Sequence, residues 1–187
     1  MTNDRPERKL ILHMSMSLDG FAARPDGSMP WLEGTRPYGA QRQRAIQELL
    51  GQTGLIVLGG NAYEDMAAAW PSGESPTAEY MNTLPKLVFS SSRSDATWNN
   101  TRITATPVQE KMPALKREPG KDVVVFGGVS FARSLAAHRL IDEYRITVQP
   151  FALGDGFPLL HGLPEPMELE LISRTTYADG PITHVYA

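Results

Sequence analysis

The chain has 187 residues, with 18 Lys and Arg against 21 Asp and Glu, a net charge of −3 and no cysteine. That balance gives no electrostatic footing for a nucleic acid or an acidic membrane surface. The lack of thiols excludes disulfides, thiolate metal sites and a cysteine nucleophile, and it suits a reducing cytoplasm.

No apolar run approaches the ~20 residues of a membrane-spanning helix. The length suits a single domain over residues 1–187. Residues 1–8 read as a polar, flexible tail without the apolar core of a signal peptide. Residues 9–15 read as a first strand centred on Leu10, Ile11 and Leu12. The Gly-, Pro- and Asp-rich stretch 20–31 reads as a loop. Over 38–51, Ala45, Ile46, Leu49 and Leu50 make a helical apolar stripe, and Gly51 makes the stop. A short buried strand at 55–58 runs into Gly59 and Gly60, a helix follows over 61–69, and Pro71 ends it. Residues 72–79 read as a loop around Pro76, 86–90 as a strand, 101–104 as a short strand and 109–117 as a weak helix. Val123 to Phe126 is an apolar run of the kind covered on both faces, and a helix reaches from Ser130 to Arg139. Three strands close the chain, at 143–148, 167–173 and 183–186. Early alternation of strand and helix predicts a mostly parallel sheet with helices on both faces, finished by antiparallel strands at one edge.

Three strand ends carry small or hydroxyl residues: Gly59-Gly60-Asn61, Ser90-Ser91-Ser92-Arg93 and Gly127-Gly128. In open α/β sheets, ligands bind beyond the carboxyl ends of the strands. Glycine there permits unusual dihedrals and close approach, and the next helix start attracts an anion. Ser130 reads as the N-cap of that helix. Arg93 with its neighbouring hydroxyls suits a phosphate. A tight turn and a solvated loop charge are the plain alternatives. The set together indicates a nucleotide with several phosphates, although neither the Rossmann fingerprint nor a P-loop is present. His13, His138, His161 and His184 have no metal-ligand spacing, so no metal is expected. His13, on an apolar strand, reads as a packed core residue.

Three stretches, MSMSLDGFAARPDGSMPWL (14–32), LIVLGGNAYEDM (55–66) and the run from Val123 to Gly156, resemble the dihydrofolate reductase superfamily. Within it they are most similar to the reductase domain of riboflavin-biosynthesis proteins, the RibD C-terminal family. The resemblance implies a three-layer α/β sandwich with a mostly parallel central sheet and an antiparallel C-terminal strand. It implies a homodimer and hydride transfer from NADPH. It sets Gly127 and Gly128, with Val129, Ser130 and Phe131, against the cofactor pyrophosphate, and implies a cis peptide between the two glycines. Gly59, Gly60 and Asn61 match a second phosphate-facing turn. Ser90, Ser91 and Arg93 match the adenosine end, where a 2′-phosphate selects NADPH over NADH. Met16, Ser17, Asp19 and Ala22 match the strand and loop near nicotinamide and substrate. Asp19 and a water on Ser17 are the candidate proton sources, and Asp19 has the simpler alternative of capping the turn at Gly20. Trp31 matches the mouth of the substrate pocket, and Arg36 is a candidate phosphate contact.

The departures lie on the substrate side. Gln43 stands where dihydrofolate reductases carry a carboxylate, and Gln47 is beside it, so classical folate reduction is not expected. Phe21 replaces the lysine usual in riboflavin reductases. The substrate expected by likeness is 5-amino-6-(5-phosphoribosylamino)uracil. A pterin-like or small carbonyl compound, a non-catalytic nucleotide-binding protein and a flavin protein are the alternatives.

Overall fold

In the computed structural model, which describes residues 7–33 and 39–187, the most continuous apolar runs occupy the centre of one sheet. In chain order the elements are β1 (Leu10–Ser17), β2 (Phe21–Ala23), α1 (Pro30–Glu33), α2 (Ala40–Gly51), β3 (Thr53–Gly59), α3 (Gly60–Ala69), α4 (Pro76–Thr83), β4 (Lys86–Phe89), β5 (Thr101–Thr104), α5 (Val108–Arg117), β6 (Asp122–Phe126), α6 (Val129–Ala137), β7 (Glu143–Gln149), β8 (Phe157–Pro158), β9 (Leu171–Thr176) and β10 (Ile182–Tyr186). Eight strands form the main sheet in the order β5-β4-β3-β6-β1-β7-β10-β9. The first six are mutually parallel, and β10 runs antiparallel to β7 and β9. β2 and β8 pair separately.

β1 is flanked by parallel partners, with Leu10 opposite Val123 and Leu12 opposite Tyr144. Such a strand must be apolar on both faces. Leu10, Leu12 and Met14 join Val123 and Val125 on the face covered by Met112 and Leu115 of α5 and Leu135 of α6. Ile11 and Val124 face the other way, against Leu49 of α2. Further along that second face, Ile56, Leu58 and Val88 pack against Tyr63 of α3 and Met81 of α4. The result is the expected three-layer α/β sandwich.

Several expectations shift. Residues 76–83 form α4 where a loop was expected. Its start follows from chemistry, because Ser75 accepts a bond from the Ala78 N–H (3.1 Å) and Pro76 fills the first turn. The stretch 20–31 holds the short elements β2 and α1. The strand expected at 167–173 lies at Leu171–Thr176, because Thr175 and Arg174 pair with Thr183 and His184 across the turn at Gly180. Met167 and Leu169 pack on the core instead. Of the expected tail, residues 1–6 lie outside the described residues. Arg8 is not part of a free tail, since its Nε donates to the Lys121 carbonyl at 2.6 Å and its backbone N–H to Lys116 at 2.9 Å. Among the described residues, no helix is long and apolar enough to cross a membrane.

One buried cation joins α4 to the sheet. Lys86 is 1% exposed, and its Nζ donates to the carbonyls of Met81 and Leu84, both at 2.8 Å. The ammonium also sits 4.5 Å from the centre of the Trp98 ring. It satisfies carbonyls that the end of α4 leaves unpaired. A Lys86→Met variant keeps the aliphatic volume and strands those carbonyls, so it is expected to lose about 1–3 kcal/mol of stability. Urea unfolding of the two proteins checks this.

Candidate active site

The carboxyl ends of β3, β4 and β6 converge, and two cavities open there. The first, about 360 Å³, is lined by Gly60, Asn61, Glu64, Ser90, Ser92, Arg93, Ser94 and Asp95. It is polar and lies at the start of α3, which follows Gly59 without a side-chain cap; the neighbouring helix α6, after Gly128, also starts without one. Backbone N–H groups at such starts are free to meet an anion.

Ser130 was expected to cap α6, but Gly128 holds that position and its carbonyl accepts from the Ala132 N–H at 2.8 Å. Ser130 is exposed within the first turn. The expected cis bond is also corrected. No cis peptide occurs among the described residues, and the turn is made by two successive left-handed residues, Gly127 (φ 81°) and Gly128 (φ 84°). Gly59 has a packing reason as well. A Cβ there would lie 2.8 Å from the Cβ of Phe131, so glycine lets α6 close onto β3. Phe131 itself is buried and pairs with the Phe89 ring at 5.3 Å. It supports the turn from beneath. Val129 packs on the same core.

Arg93 reaches the first cavity already engaged. Its guanidinium is ion-paired with Glu64 and lies 5.2 Å from the centre of the Tyr63 ring, while its backbone N–H donates to Ser90 Oγ at 3.2 Å. Tyr63 in turn accepts from the N–H groups of Thr97 (2.8 Å) and Trp98 (3.0 Å), which fixes the loop behind the cavity. Ser92 and Ser94 line this space and Ser91 does not. The carboxylates of Glu64 and Asp95 are lining residues that the sequence reading missed. Their spacing from Arg93 carries no signal.

The second cavity, about 340 Å³, lies under α2. Trp31, Gln43, Gln47 and Ala22, all expected near the substrate or nicotinamide, line it together with Gly127. Gln43 and Gln47 are four apart on α2 and so share a face. Met29, Ile46, Met66, Trp70 and Phe126 supply apolar walls that were not anticipated. His13 stands on its floor, 5.1 Å from the Phe126 ring centre, with Nδ1 buried and unpartnered. Burial, helped by the nearby Arg145 charge, pushes the imidazole down to about 4, so it is neutral at pH 7. The packed core residue of the sequence reading is therefore also a wall of the cavity. Arg36 lies outside the described residues.

Met16, Ser17 and Asp19 do not reach either cavity. Met16 faces the opposite side of the sheet, against the core beneath α5 and α6. Ser17 is fully buried; its hydroxyl donates to Asp19 Oδ1 at 2.5 Å and accepts from the Phe21 N–H at 3.0 Å. Asp19 accepts from the N–H groups of Leu153 (3.0 Å) and Gly154 (2.7 Å). The Ser17 hydroxyl first, then those N–H groups, pull its carboxyl from 3.8 to about 2. A carboxylate so occupied is a poor proton donor. Asp19 latches the 153–154 loop, and it does not cap the turn at Gly20, whose N–H goes to the Ser17 carbonyl at 3.0 Å.

With this geometry in hand, the sequence model of the RibD C-terminal domain matches residues 8–183. Uncharacterized protein YyaP of Bacillus subtilis (strain 168) is 27% identical over 191 residues, covering 100% of this chain and 98% of its own. Riboflavin biosynthesis protein RibD of Corynebacterium ammoniagenes is 25% identical over 81% of this chain, which spans only 45% of that protein. By structure, a riboflavin biosynthesis protein from a Shewanella species superposes with a TM-score of 0.78 at 22% identity, over 95% of this chain and 97% of that one. A deaminase/5-amino-6-(5-phosphoribosylamino)uracil reductase from Thermotoga maritima gives 0.67 at 13% identity, over 96% of this chain and 56% of that one. At these identities the structural matches establish the fold.

The Asp19 latch has a signed pH dependence. Its folded value of about 2 lies below the ordinary 3.8, so its contribution is complete above the ordinary value and is lost as pH falls through the folded one. Asp19→Asn is expected to melt below the parent protein at neutral pH, with the gap closing as pH falls from about 4 to about 2. Thermal melts across that range check it.

Proposed function

The chain belongs to the RibD C-terminal domain family, and on that footing we propose that it is an NADPH-dependent reductase acting on a C=N or C=O group of a small heterocyclic compound. The observation that carries this reading is a polar cavity at the uncapped start of α3, together with an apolar cavity that reaches the glycine turn at Gly127 before the uncapped start of α6. NADPH supplies the hydride when bound. The donor set fits it: the backbone N–H groups after Gly59 and Gly128 suit a pyrophosphate. Ser90, Ser92 and Arg93 suit the adenosine end, and Asn61 stands beside them as a polar side chain. Trp31 and Ala22 close the other end over the reacting ring. The protein's contribution is positioning and exclusion of water. Asp19 acts here as a positioning residue, and the proton comes from solvent.

A homodimer belongs to the same reading. β9 is an exposed edge strand, and Leu171 and Ile172 on it are 50% and 57% exposed. Edge strands of this kind invite pairing. Static light scattering at micromolar concentration is expected to give twice the chain mass; a monomer would remove the dimer from the reading.

Two measurements test the reductase. Calorimetry is expected to show tighter binding of NADPH than of NADH. Arg93→Ala is expected to cost about 1–3 kcal/mol with NADPH alone, the scale of a charge-assisted bond. Glu64→Gln frees the Arg93 guanidinium and removes a repulsive charge, so it is expected to tighten NADPH more than NADH. Equal affinities for the two nucleotides would overturn the cofactor assignment. NADPH binding without oxidation by any carbonyl or imine compound would leave a nucleotide-binding protein in place of an enzyme.

A further inference from the structure

The cavity under α2 has no ionised side chain on its described walls. Its polar members are His13, Ser15, Gln43, Gln47, Ser75 and Thr77, and the rest of the lining is aromatic, aliphatic, thioether or backbone. Among the described residues, two cations on this face of the sheet are engaged elsewhere. Arg145 lines a neighbouring depression and bonds Glu143 at 2.5 Å, and Arg42 bonds Asp179 at 2.6 Å. An anion drawn into the α2 cavity would lose water without gaining a counter-charge from the described walls.

What the cavity offers instead is a set of neutral hydrogen-bonding groups. A buried ring nitrogen without a partner is costly, and His13 Nδ1 is one. A neutral imidazole presents one donor and one acceptor, and each glutamine amide presents both. These groups stand against the flat walls of Trp31, Trp70 and Phe126. At about 340 Å³ the space lies at the low end of ligand pockets, which run from ~300 to ~1,000 Å³.

We propose that this cavity takes an uncharged, planar heterocycle of one or two rings, that His13 with Gln43 and Gln47 reads its donor–acceptor edge, and that a phosphate ester is selected against. The proposal rests on the reductase reading for the purpose of the cavity. It departs from the phosphoribosyl substrate in the name of the Thermotoga maritima neighbour.

The test is calorimetry on the full chain saturated with NADP⁺, which binds without turnover. The probes are lumazine, 5-amino-6-(ribosylamino)uracil and the 5′-phosphate of the latter. Both uncharged probes are expected to bind, and the phosphate on the order of tenfold more weakly than its dephosphorylated partner. His13→Leu is expected to weaken lumazine on the order of tenfold, with His13→Gln retaining part of the affinity. NADP⁺ affinity is expected to be unchanged in both, and neither is expected to melt below the parent protein. Equal or tighter binding of the phosphate overturns the proposal, and its loss in Arg36→Gln would then name the cation responsible. Unchanged lumazine affinity in both His13 variants, or no binding of either uncharged probe, also overturns it. If the nucleotide fails to bind while the bare protein still prefers the uncharged probes, the reductase reading falls and the cavity assignment stands.

Discussion

The close approach of α6 to β3 is the contact on which the site depends. Phe131 rests so near Gly59 that any side chain there would sit 2.8 Å from its Cβ, and a Cβ on Gly128 would meet that of Ala62 at 3.2 Å. Each glycine turn is thus filled by a residue from the helix that follows the other. The two helix starts are brought side by side, both without a side-chain cap. Small residues in these turns serve packing first, and the same packing sets two rows of uncapped backbone N–H groups near each other. A core built for density produces an electropositive rim as a by-product.

The two cavities differ in how they manage charge. Around the first, Arg93 is balanced by Glu64 and steadied over the Tyr63 ring, so a cation is held in place before any anion arrives. Exposed ion pairs of this kind contribute little to stability. Around the second, Arg42 and Arg145, two described cations of this sheet face, are held by partners outside the cavity. Arg42 is drawn to Asp179 and to Gln149, whose amide also donates to Ser15 at 3.1 Å. His13 is left neutral on an apolar floor. The first cavity is therefore suited to charge, and the described walls of the second to shape and neutral hydrogen bonds.

Much of this was legible along the chain. The run from Val123 to Phe126 and the stripe Ala45, Ile46, Leu49 and Leu50 report burial through their period, and both elements stand within a few residues of expectation. Trp31, Gln43 and Gln47, which the sequence reading set on the substrate side, line one cavity. α4 was hidden, although Ser75-Pro76 carried a start signal, because its apolar content is low and Pro76 reads more readily as a loop. The strand at 171–176 was displaced because register there is fixed by pairing with β10, and an exposed strand has no buried face to announce it.

By itself the sequence determined the parallel centre of the sheet, the helices on both its faces and the glycine turns, since these follow from local periodicity and short motifs, and three stretches of it carried the resemblance to the family. The tertiary structure decided the role of each polar group. Asp19 finds its N–H donors at Leu153 and Gly154, 134 and 135 residues away, and so became a latch where a proton donor was expected. Arg93 meets Glu64 across 29 residues. His13 is orphaned beside Phe126 although it sits in an apolar strand. Periodicity records which face of an element is buried. Which polar partner stands opposite is set by the packing of distant elements, and short-range spacing carries no trace of it.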